Sequence, residues 1–271
     1  MGTPDVGARV EEKVARLRLD GWCVLEDVIP PDKADAVRAS VESTATTHGS
    51  VDDRGVATRK GLLAFDQSFA PYLADQRLLG IAEQLLGPHF RVSFTTVHMN
   101  LPGNTRGHWH ADWPFNQQNA GHVPAPYPDV VMHLTTLWML SPFTEENGGT
   151  FVVPGSHRSP NNPSGDNGVD PYEPYPTEMQ AEGEAGSVLL FDSRLWHATA
   201  PNRSDRPRVG MPVRFAPWWL NLNVLRPGSP DRSRLLAETG RGENEGALVP
   251  PAIYDGLPAT VKPLFQHWVE E

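Results

Sequence analysis

The composition of the chain is typical of a globular protein and excludes several classes of partner. Of its 271 residues, 39% are hydrophobic and 21% are charged, which is enough apolar material to bury a core. The formal net charge of −10 argues against nucleic acid and anionic membrane surfaces, since both attract basic patches. A small molecule is therefore the expected partner, and the oligomeric state is left open.

Cysteine usage and hydropathy predict a cytoplasmic location. Cys23 is the single cysteine, so an intrachain disulfide and a cysteine-based zinc site are excluded, as expected in a reducing compartment. No apolar run approaches the roughly 20 residues of a membrane span. The first residues also lack the basic start and the apolar stretch of a signal peptide.

The first third of the chain predicts a helical support over about residues 8–88. Val10, Val14 and Leu17 recur at the spacing of one helix face. Gly21 then ends that helix, and the run WCVLEDVI predicts a short strand. Further helices are predicted over about 31–43 and 73–86.

From about residue 90 to 220 the sequence changes to short β-branched and aromatic runs. Clusters of Pro, Gly and Asn separate these runs, which are RVSFTTVHMN, DVVMHLTTLWML, GTFVVP, SVLLF and RVGMPVRF. This pattern predicts an antiparallel β barrel or sandwich. Together with the helical support and a C-terminal extension over about 221–271, it predicts one domain for the chain 1–271. The long connections 113–128 and 158–183 are candidates for lids.

Three residues form the pattern of a metal site. His110 and Asp112 are separated by one residue, so their side chains point to the same side of an extended strand. His197 follows near the end of the strand-like run SVLLFDSRLWH. Two histidines and one carboxylate that leave other positions open are the ligands of non-haem iron(II) oxygenases. A lone His-x-Asp is more often a solvated strand, but the aromatic neighbours and the later histidine favour the metal site.

A basic residue on the next predicted strand could bind a carboxylate. Arg208 lies eleven residues after His197. In the alternating run 207–215 it shares one face with Gly210, which leaves room for a bidentate contact with a carboxylate of 2-oxoglutarate. The alternatives are that Arg208 faces solvent or that another arginine has this role. The other arginines nearby are Arg203, Arg206 and Arg214.

Taken together, these motifs resemble those of the phytanoyl-CoA dioxygenase family of Fe(II)- and 2-oxoglutarate-dependent oxygenases. The resemblance is carried by His110-x-Asp112, by TEENGGTFVVPGSH (144–157) and by WHATAPNRSDRPR (196–208). The opening DGWCVLEDVIPPDKADAVR is also similar to that of the family. The resemblance spans about residues 10–220, and the joint occurrence of the motifs is specific. It implies a double-stranded β-helix, the jelly-roll barrel that cupins also have, with a helical N-terminal third.

The resemblance also implies cofactors and residues that bind them. The implied cofactors are Fe(II), 2-oxoglutarate and O2. The implied iron ligands and catalytic residues are His110, Asp112 and His197, and the implied 2-oxoglutarate-binding residues are Arg208, Thr199, Asn100 and Trp138. Leu101 stands where some members have Lys, which leaves Asn100 or Thr96 as candidates for the C1 carboxylate. Ala111 stands where the family tends to have Gln, and Asn202 matches a position usually occupied by Asn.

Substrate-contacting residues are predicted beside the metal site. The candidates are His108, Trp113, Asn116 and Gln118. His108 has the strand parity of His110, which favours a contact near the metal over metal ligation itself. The polar run 116–119 is explained equally well by a solvated loop and by hydrogen-bond partners for a substrate.

The predicted reaction is hydroxylation of an unactivated C–H bond of a small-molecule metabolite, with release of succinate and CO2. The carboxylate of Asp112 favours hydroxylation over halogenation, since related halogenases have a small residue at that position. Desaturation, cyclisation and epimerisation stay open, and so does the substrate, because function resides in the pocket and not in the fold. One alternative is a redox-inactive barrel enzyme such as a cupin-like isomerase, which would not need Arg208. The other is a metabolite-binding barrel without turnover.

Overall fold

The secondary structure is given by a computed structural model that describes residues 6–112, 127–160, 162–163, 168–239 and 246–271. The strands are β1 (Trp22–Leu25), β2 (Ser50–Val51), β3 (Val56–Lys60), β4 (Arg91–Asn100), β5 (Leu134–Met139), β6 (Phe151–Val152), β7 (Met179–Gln180), β8 (Val188–Asp192), β9 (His197–Ala198) and β10 (Arg208–Ala216). The α-helices are α1 (Val6–Asp20), α2 (Pro31–His48), α3 (Gln76–Leu86), α4 (Pro230–Thr239), α5 (Pro251–Gly256) and α6 (Lys262–Phe265). Short 3-10 helices cover Leu62–Ala64, Ala70–Ala74, Ser156–Arg158, Asn223–Leu225 and Gln266–Trp268.

The N-terminal helices follow the predicted apolar spacing. α1 buries the three apolar residues that were predicted to share one face. Gly21 follows it with a φ of +86°, a backbone conformation that favours glycine. α2 extends to His48, beyond its predicted end, because Thr44 and Ala45 continue its buried face. The stretch predicted as a third helix is a 3-10 helix followed by α3, which Asp75 caps.

The described strands form two antiparallel sheets. The larger sheet has the order β1-β8-β5-β10-β4-β3-β2, and the smaller has the order β7-β6-β9. Apolar side chains of both sheets meet in one core cluster, which includes Leu137, Phe191 and Val152. The other face of the larger sheet packs against the helices through a second cluster. Within the described residues the two sheets are separate ladders, and the arrangement is a jelly roll with flanking helices, which confirms the predicted fold class.

β10 is a central strand that carries two inward-facing arginines. It pairs with β4 on one side and β5 on the other. Val209, Met211 and Val213 belong to the core on the helical side. Arg208 and Arg214 therefore share the opposite face, as the predicted alternation requires. The register shifts only after Arg214.

His197 does not lie at the end of the strand that the sequence predicted. β8 ends at Asp192, whose carboxylate accepts a hydrogen bond from the backbone N–H of Arg194 at 2.9 Å and turns the chain. His197 then belongs to β9 of the smaller sheet, where it pairs with Val152. This local turn ends the strand within the run SVLLFDSRLWH, which the sequence had predicted as one strand.

The C-terminal residues 246–271 pack against the start of β4. The indole N–H of Trp268 donates to the carbonyl of Val92 at 2.7 Å, and Leu264 and Phe265 join the core on the helical side. The division of the chain into support, barrel core and extension within one domain stays a prediction. Across the described ranges, no helix combines the length and the apolar character that crossing a membrane requires.

Candidate active site

The three predicted metal ligands lie together. His110 and His197 pair through backbone hydrogen bonds of 3.1 and 3.0 Å. Asp112 Oδ1 lies 3.9 Å from His110 Nε2 and 3.7 Å from His197 Nε2. Ligand atoms of all three residues lie within 4.8 Å of one another, a spacing that could hold one metal ion. The turn after β8 and the bridge between the two histidine segments bring this cluster together.

Both histidines are held in the tautomer that a metal ion requires. His110 Nδ1 lies 3.0 Å from the carbonyl of His108. His197 Nδ1 lies 2.9 Å from the carbonyl of Leu195. A carbonyl only accepts, so each Nδ1 donates its proton and each Nε2 keeps its lone pair. Burial, followed by the charge of His197, lowers the pKa of His110 to about 4, and burial also lowers the pKa of His197, so both rings are neutral ligands at neutral pH.

The carboxylate of Asp112 is held from two sides. Its Oδ2 accepts a hydrogen bond from Thr135 Oγ1 at 2.8 Å, and its Oδ1 accepts one from Arg214 Nη2 at 2.5 Å. Burial alone would raise the pKa of Asp112, but Arg214 and the two histidines outweigh burial and lower it below its ordinary value. Thr135 Oγ1 also lies 2.8 Å from Ser193 Oγ, which fixes the hydroxyl. The carboxylate is therefore ionised and fixed in direction.

Arg208 is a buried cation with unused donors. It is 1% exposed, and its Nε and Nη1 have no hydrogen-bond partner among the residues that the structure describes. Its guanidinium lies 4.3 Å from the ring centroid of Phe143. Burial lowers the pKa of Arg208 to about 9. A Cβ at Gly210 would lie 3.1 Å from Arg208 Nη1, so the glycine leaves the space that the guanidinium occupies.

The other arginines considered from the sequence are placed differently. Arg203 and Arg206 are exposed. Arg214 is engaged by Asp112. Of these four arginines, Arg208 is the one that combines full burial with unused donors, a combination that favours binding of an anion.

Asn100 lies beside Arg208, and Thr199 lies beside the neighbouring His98. Asn100 is opposite Arg208 in the pairing of β4 with β10, and its Oδ1 has no hydrogen-bond partner in the described part of the chain. Thr199 Oγ1 lies 3.4 Å from His98 Nε2. Burial lowers the pKa of His98 to about 3, and the charges of Arg208 and His110 add to this lowering. His98 is thus close to both the guanidinium and the metal-ligand cluster.

Trp138 does not line this site, which corrects the prediction. Its indole lies in the core on the helical side and donates to Thr136 Oγ1 at 3.1 Å. Side chains alternate along β5, and Thr135 is the residue that faces Asp112. Three positions separate Thr135 from Trp138, so the tryptophan points to the opposite face of the sheet.

Asn202 organises the loop between β9 and β10. Its amide nitrogen donates to the carbonyls of Asn100 at 3.1 Å and Arg206 at 2.7 Å. Its Oδ1 accepts from the backbone N–H of Ser204 at 3.0 Å. The amide is therefore used within the protein, and its effect is to hold the chain that leads into Arg208.

Two residues of the site were not predicted from the sequence. Thr135 bonds the carboxylate of Asp112, and Phe143 covers the guanidinium of Arg208. For Thr135, the available signal was a hydroxyl in the mostly apolar run DVVMHLTTLWML. Phe143 gave no signal, because its contact depends on the pairing of distant segments.

The predicted substrate residues are described only in part. The ring centroid of His108 lies 5.3 Å from that of His110 and 5.9 Å from that of Tyr172. Burial lowers the pKa of His108 to about 4. His108 is therefore a neutral group beside the metal-ligand cluster. The other predicted substrate residues, Trp113, Asn116 and Gln118, lie outside the described residues.

Part of the second predicted lid contacts the metal-ligand segment. The backbone N–H of Trp109 donates to the carbonyl of Pro171 at 2.6 Å, and its indole N–H donates to that of Glu173 at 2.9 Å. These bonds anchor this connection next to His110. Closure of the site by either long connection stays a prediction.

We expect Thr135→Val to weaken binding of a divalent metal by about 10–100-fold, the range found when a group that orients a metal ligand is removed. Valine keeps the shape of threonine but leaves Asp112 Oδ2 without its hydroxyl donor. Titration of the purified protein with Co(II), followed by visible absorption, measures the effect. Thr46→Val, at an exposed position of α2, is the control and should bind like the wild type. Equal affinity in Thr135→Val and the control would contradict this role.

Comparisons with known proteins identify the family. Residues 17–210 match the family described as phytanoyl-CoA dioxygenase (PhyH). An ectoine dioxygenase of Nocardia farcinica is 27% identical over 228 residues, which cover 73% of this chain and 74% of the relative.

Two solved structures illustrate the shared fold. The non-heme alpha ketoglutarate dependent carbocyclase SnoK from nogalamycin biosynthesis has a TM-score of 0.62 at 19% identity, over 80% of this chain and 88% of SnoK. HygX from Streptomyces hygroscopicus, with nickel and 2-oxoglutarate bound, has a TM-score of 0.62 at 17% identity, over 78% of this chain and 88% of HygX. The family predicted from the motifs is thus confirmed, and the chain belongs to the phytanoyl-CoA dioxygenase family of Fe(II)- and 2-oxoglutarate-dependent oxygenases.

Proposed function

We propose that this chain hydroxylates an unactivated C–H bond of a small-molecule metabolite, using Fe(II), 2-oxoglutarate and O2, and releases succinate and CO2. The observation that carries the proposal is the His–Asp–His cluster accompanied by the buried cation Arg208, whose Nε and Nη1 donors are unused within the described residues. A redox-inactive isomerase or a binding protein without turnover would leave that cation without a role. A cytoplasmic location is part of the same proposal.

His110, Asp112 and His197 fit Fe(II) as a donor set. Neutral imidazole nitrogen and carboxylate oxygen are donors that suit this metal, and three protein ligands leave the remaining positions to other ligands. Two of the donors are already neutral and in the right tautomer, and the third is ionised, so no proton has to be removed before the metal binds. The cluster is therefore prepared for a divalent ion.

Arg208 would hold the distal carboxylate of 2-oxoglutarate. Its Nε and Nη1 would donate to the carboxylate, and the charge-assisted hydrogen bonds would offset the cost of burying the guanidinium. We assign the hydroxyl of Thr199 to the same carboxylate of 2-oxoglutarate, because Thr199 lies near His98, which is close to Arg208. Asn100, with its unused Oδ1, would lie next to this carboxylate, because it pairs with Arg208 across the two strands.

The residues of the protein hold the metal ligand Asp112 in place and shield the cluster from water. When bound, Fe(II) and 2-oxoglutarate supply the oxidation of a C–H bond by O2. Thr135 and Arg214 hold Asp112 in place, which favours hydroxylation because the carboxylate position is kept from a halide. Phe191 lies 4.7 Å from His197 between ring centroids, and Trp109 is fully buried, so apolar groups exclude water from the back of the cluster.

We expect the substitutions His110→Ala, Asp112→Ala and His197→Ala each to abolish stoichiometric iron binding and succinate formation, because each removes one of three donors. Bound iron per chain and succinate release in the presence of 2-oxoglutarate and candidate substrates are the measurements. Circular dichroism reports whether the fold is kept. His48→Ala, at an exposed position, should retain full iron binding. A His197→Ala protein with wild-type iron content and turnover would refute the assignment of ligands.

We expect Arg208→Ala to raise the dissociation constant for 2-oxoglutarate by about 10–150-fold, equivalent to about 1.5–3 kcal/mol for hydrogen bonds to a charged group. The iron requirement should change far less, since Arg208 is not a metal ligand. Calorimetric titration of the metal-loaded protein with 2-oxoglutarate measures the first quantity, and anaerobic titration of the metal-free protein with Fe(II) measures the second. Arg203→Ala removes an exposed arginine of the loop that leads into β10 and should bind like the wild type. Unchanged 2-oxoglutarate affinity in Arg208→Ala would move the assignment to Arg214 or another cation.

A further inference from the structure

A compartment reaches the metal-ligand cluster from the side of Arg214. It is a cavity of about 550 Å³ between the start of β4, the end of β10 and the described parts of the C-terminal segment, 221–239 and 246–271. Asp112 and Arg214 line it, and Arg208 does not. Its size falls within the range of about 300–1,000 Å³ that is usual for small-molecule sites. The cavity is therefore large enough for a substrate and separate from the cation proposed to hold 2-oxoglutarate.

The walls of this compartment are mainly apolar. β4 and the segment before α3 contribute Val92 and Leu63, and the C-terminal segment contributes Leu225, Leu235 and Phe265. Apolar surface of this kind stabilises a hydrocarbon or aromatic body by removing it from water. The larger part of the ligand should therefore be apolar.

The charged groups on the lining are mostly positive. Among the described lining residues Asp112 is the one carboxylate, and the cations are Lys60, Arg214 and Arg232. This sign is opposite to the net charge of −10 of the whole chain. Lys60 and Arg232 have further interactions of their own, so the assignment below rests on Arg214.

Arg214 is held ready to bind an anion. Its Nη2 donates to Asp112 Oδ1, while its Nε is buried and has no hydrogen-bond partner within the described ranges. The guanidinium also lies 4.9 Å from the ring centroid of Phe94, which fixes its plane. A guanidinium has five N–H donors, and one of them accounts for the contact with Asp112. The side chain remains 25% exposed, toward the cavity that it lines.

We propose that the substrate is an apolar organic acid whose anionic group binds Arg214, with its apolar body in the compartment closed by the C-terminal segment. This rests on the proposed function, since it names the substrate class for that site. Arg208 and Arg214 share one face of β10 and lie six residues, or about 20 Å, apart along the strand. One strand thus presents one cation to the co-substrate and another to the substrate.

The proposal also limits where oxidation takes place. Arg214 contacts Asp112 Oδ1, the same oxygen that faces the Nε2 atoms of the two histidines. An anionic group on Arg214 therefore lies next to the metal-ligand cluster. The oxidised carbon is then close to the acid group and not at the far end of the apolar body.

A pair of dyes that differ in one charged group tests the substrate class. The probes are 8-anilinonaphthalene-1-sulfonate and its neutral counterpart N-phenyl-1-naphthylamine, which has the same aromatic skeleton without the sulfonate. The full chain is loaded anaerobically with Fe(II) and saturating 2-oxoglutarate, so that Arg208 is occupied, and dye binding is followed by fluorescence. We expect the anionic dye to bind about tenfold or more tightly than the neutral one, as a charge-assisted contact predicts.

Substitutions at Arg214 test whether this residue causes the preference for the anionic dye. Arg214→Gln keeps an amide donor for Asp112 but removes the charge, and should bring the two dyes to similar affinity. Arg214→Lys should retain a preference for the anion. Arg234→Gln removes an 81% exposed arginine of α4 and should match the wild type. No preference in the wild type, or an unchanged preference in Arg214→Gln, would overturn the proposal.

The assay separates this inference from the proposed function. Dye binding requires no turnover, and the preference should persist in Arg208→Ala. Charge discrimination at Arg214 in a protein that fails to bind 2-oxoglutarate would contradict only the proposed function. Normal 2-oxoglutarate binding without charge discrimination would contradict only the substrate class.

Discussion

The site depends on one buried carboxylate. Asp112 is 3% exposed in its side chain, and an ionised group at such a depth is stable only when it is paired and hydrogen-bonded. Thr135 and Arg214 provide both, one at each oxygen, and the histidines face the oxygen that Arg214 binds. Loss of either partner would leave one carboxylate oxygen without its donor and would weaken the orientation of this metal ligand.

The two sheets supply different residues around this carboxylate. The smaller sheet and its bridge supply the histidines, which are paired through their backbones and whose ring centroids lie 4.2 Å apart. The larger sheet supplies Thr135 from β5 and both arginines from β10. β10 lies between β4 and β5, and its inward face carries Arg208 at the start of the strand and Arg214 near its end. Of these two arginines, Arg214 lines the cavity of about 550 Å³, and Arg208 does not.

The sequence predicted those features that depend on local periodicity or on motifs. The buried face of α1, the alternation along β10 and the His110-x-Asp112 pair are of this kind. The implied role of Trp138 at the 2-oxoglutarate site was wrong, because the face on which it lies depends on which parity of β5 meets Asp112. The break before His197 was missed because a side-chain turn at Asp192 interrupts an apolar run. The pairing of Arg214 with Asp112 joins residues 102 positions apart, and no local pattern encodes such a contact.

The central claim is that the cluster binds iron and that Arg208 completes a site for 2-oxoglutarate. Its most direct test is visible absorption of the anaerobic protein loaded with one Fe(II) per chain. Addition of 2-oxoglutarate should produce a weak metal-to-ligand charge-transfer band, because a three-ligand iron site leaves adjacent positions for the keto oxygen and the C1 carboxylate. Pyruvate, which lacks the distal carboxylate that Arg208 would bind, should produce the band only at much higher concentration. Absence of the band with 2-oxoglutarate, in protein shown to contain stoichiometric iron, would contradict the account.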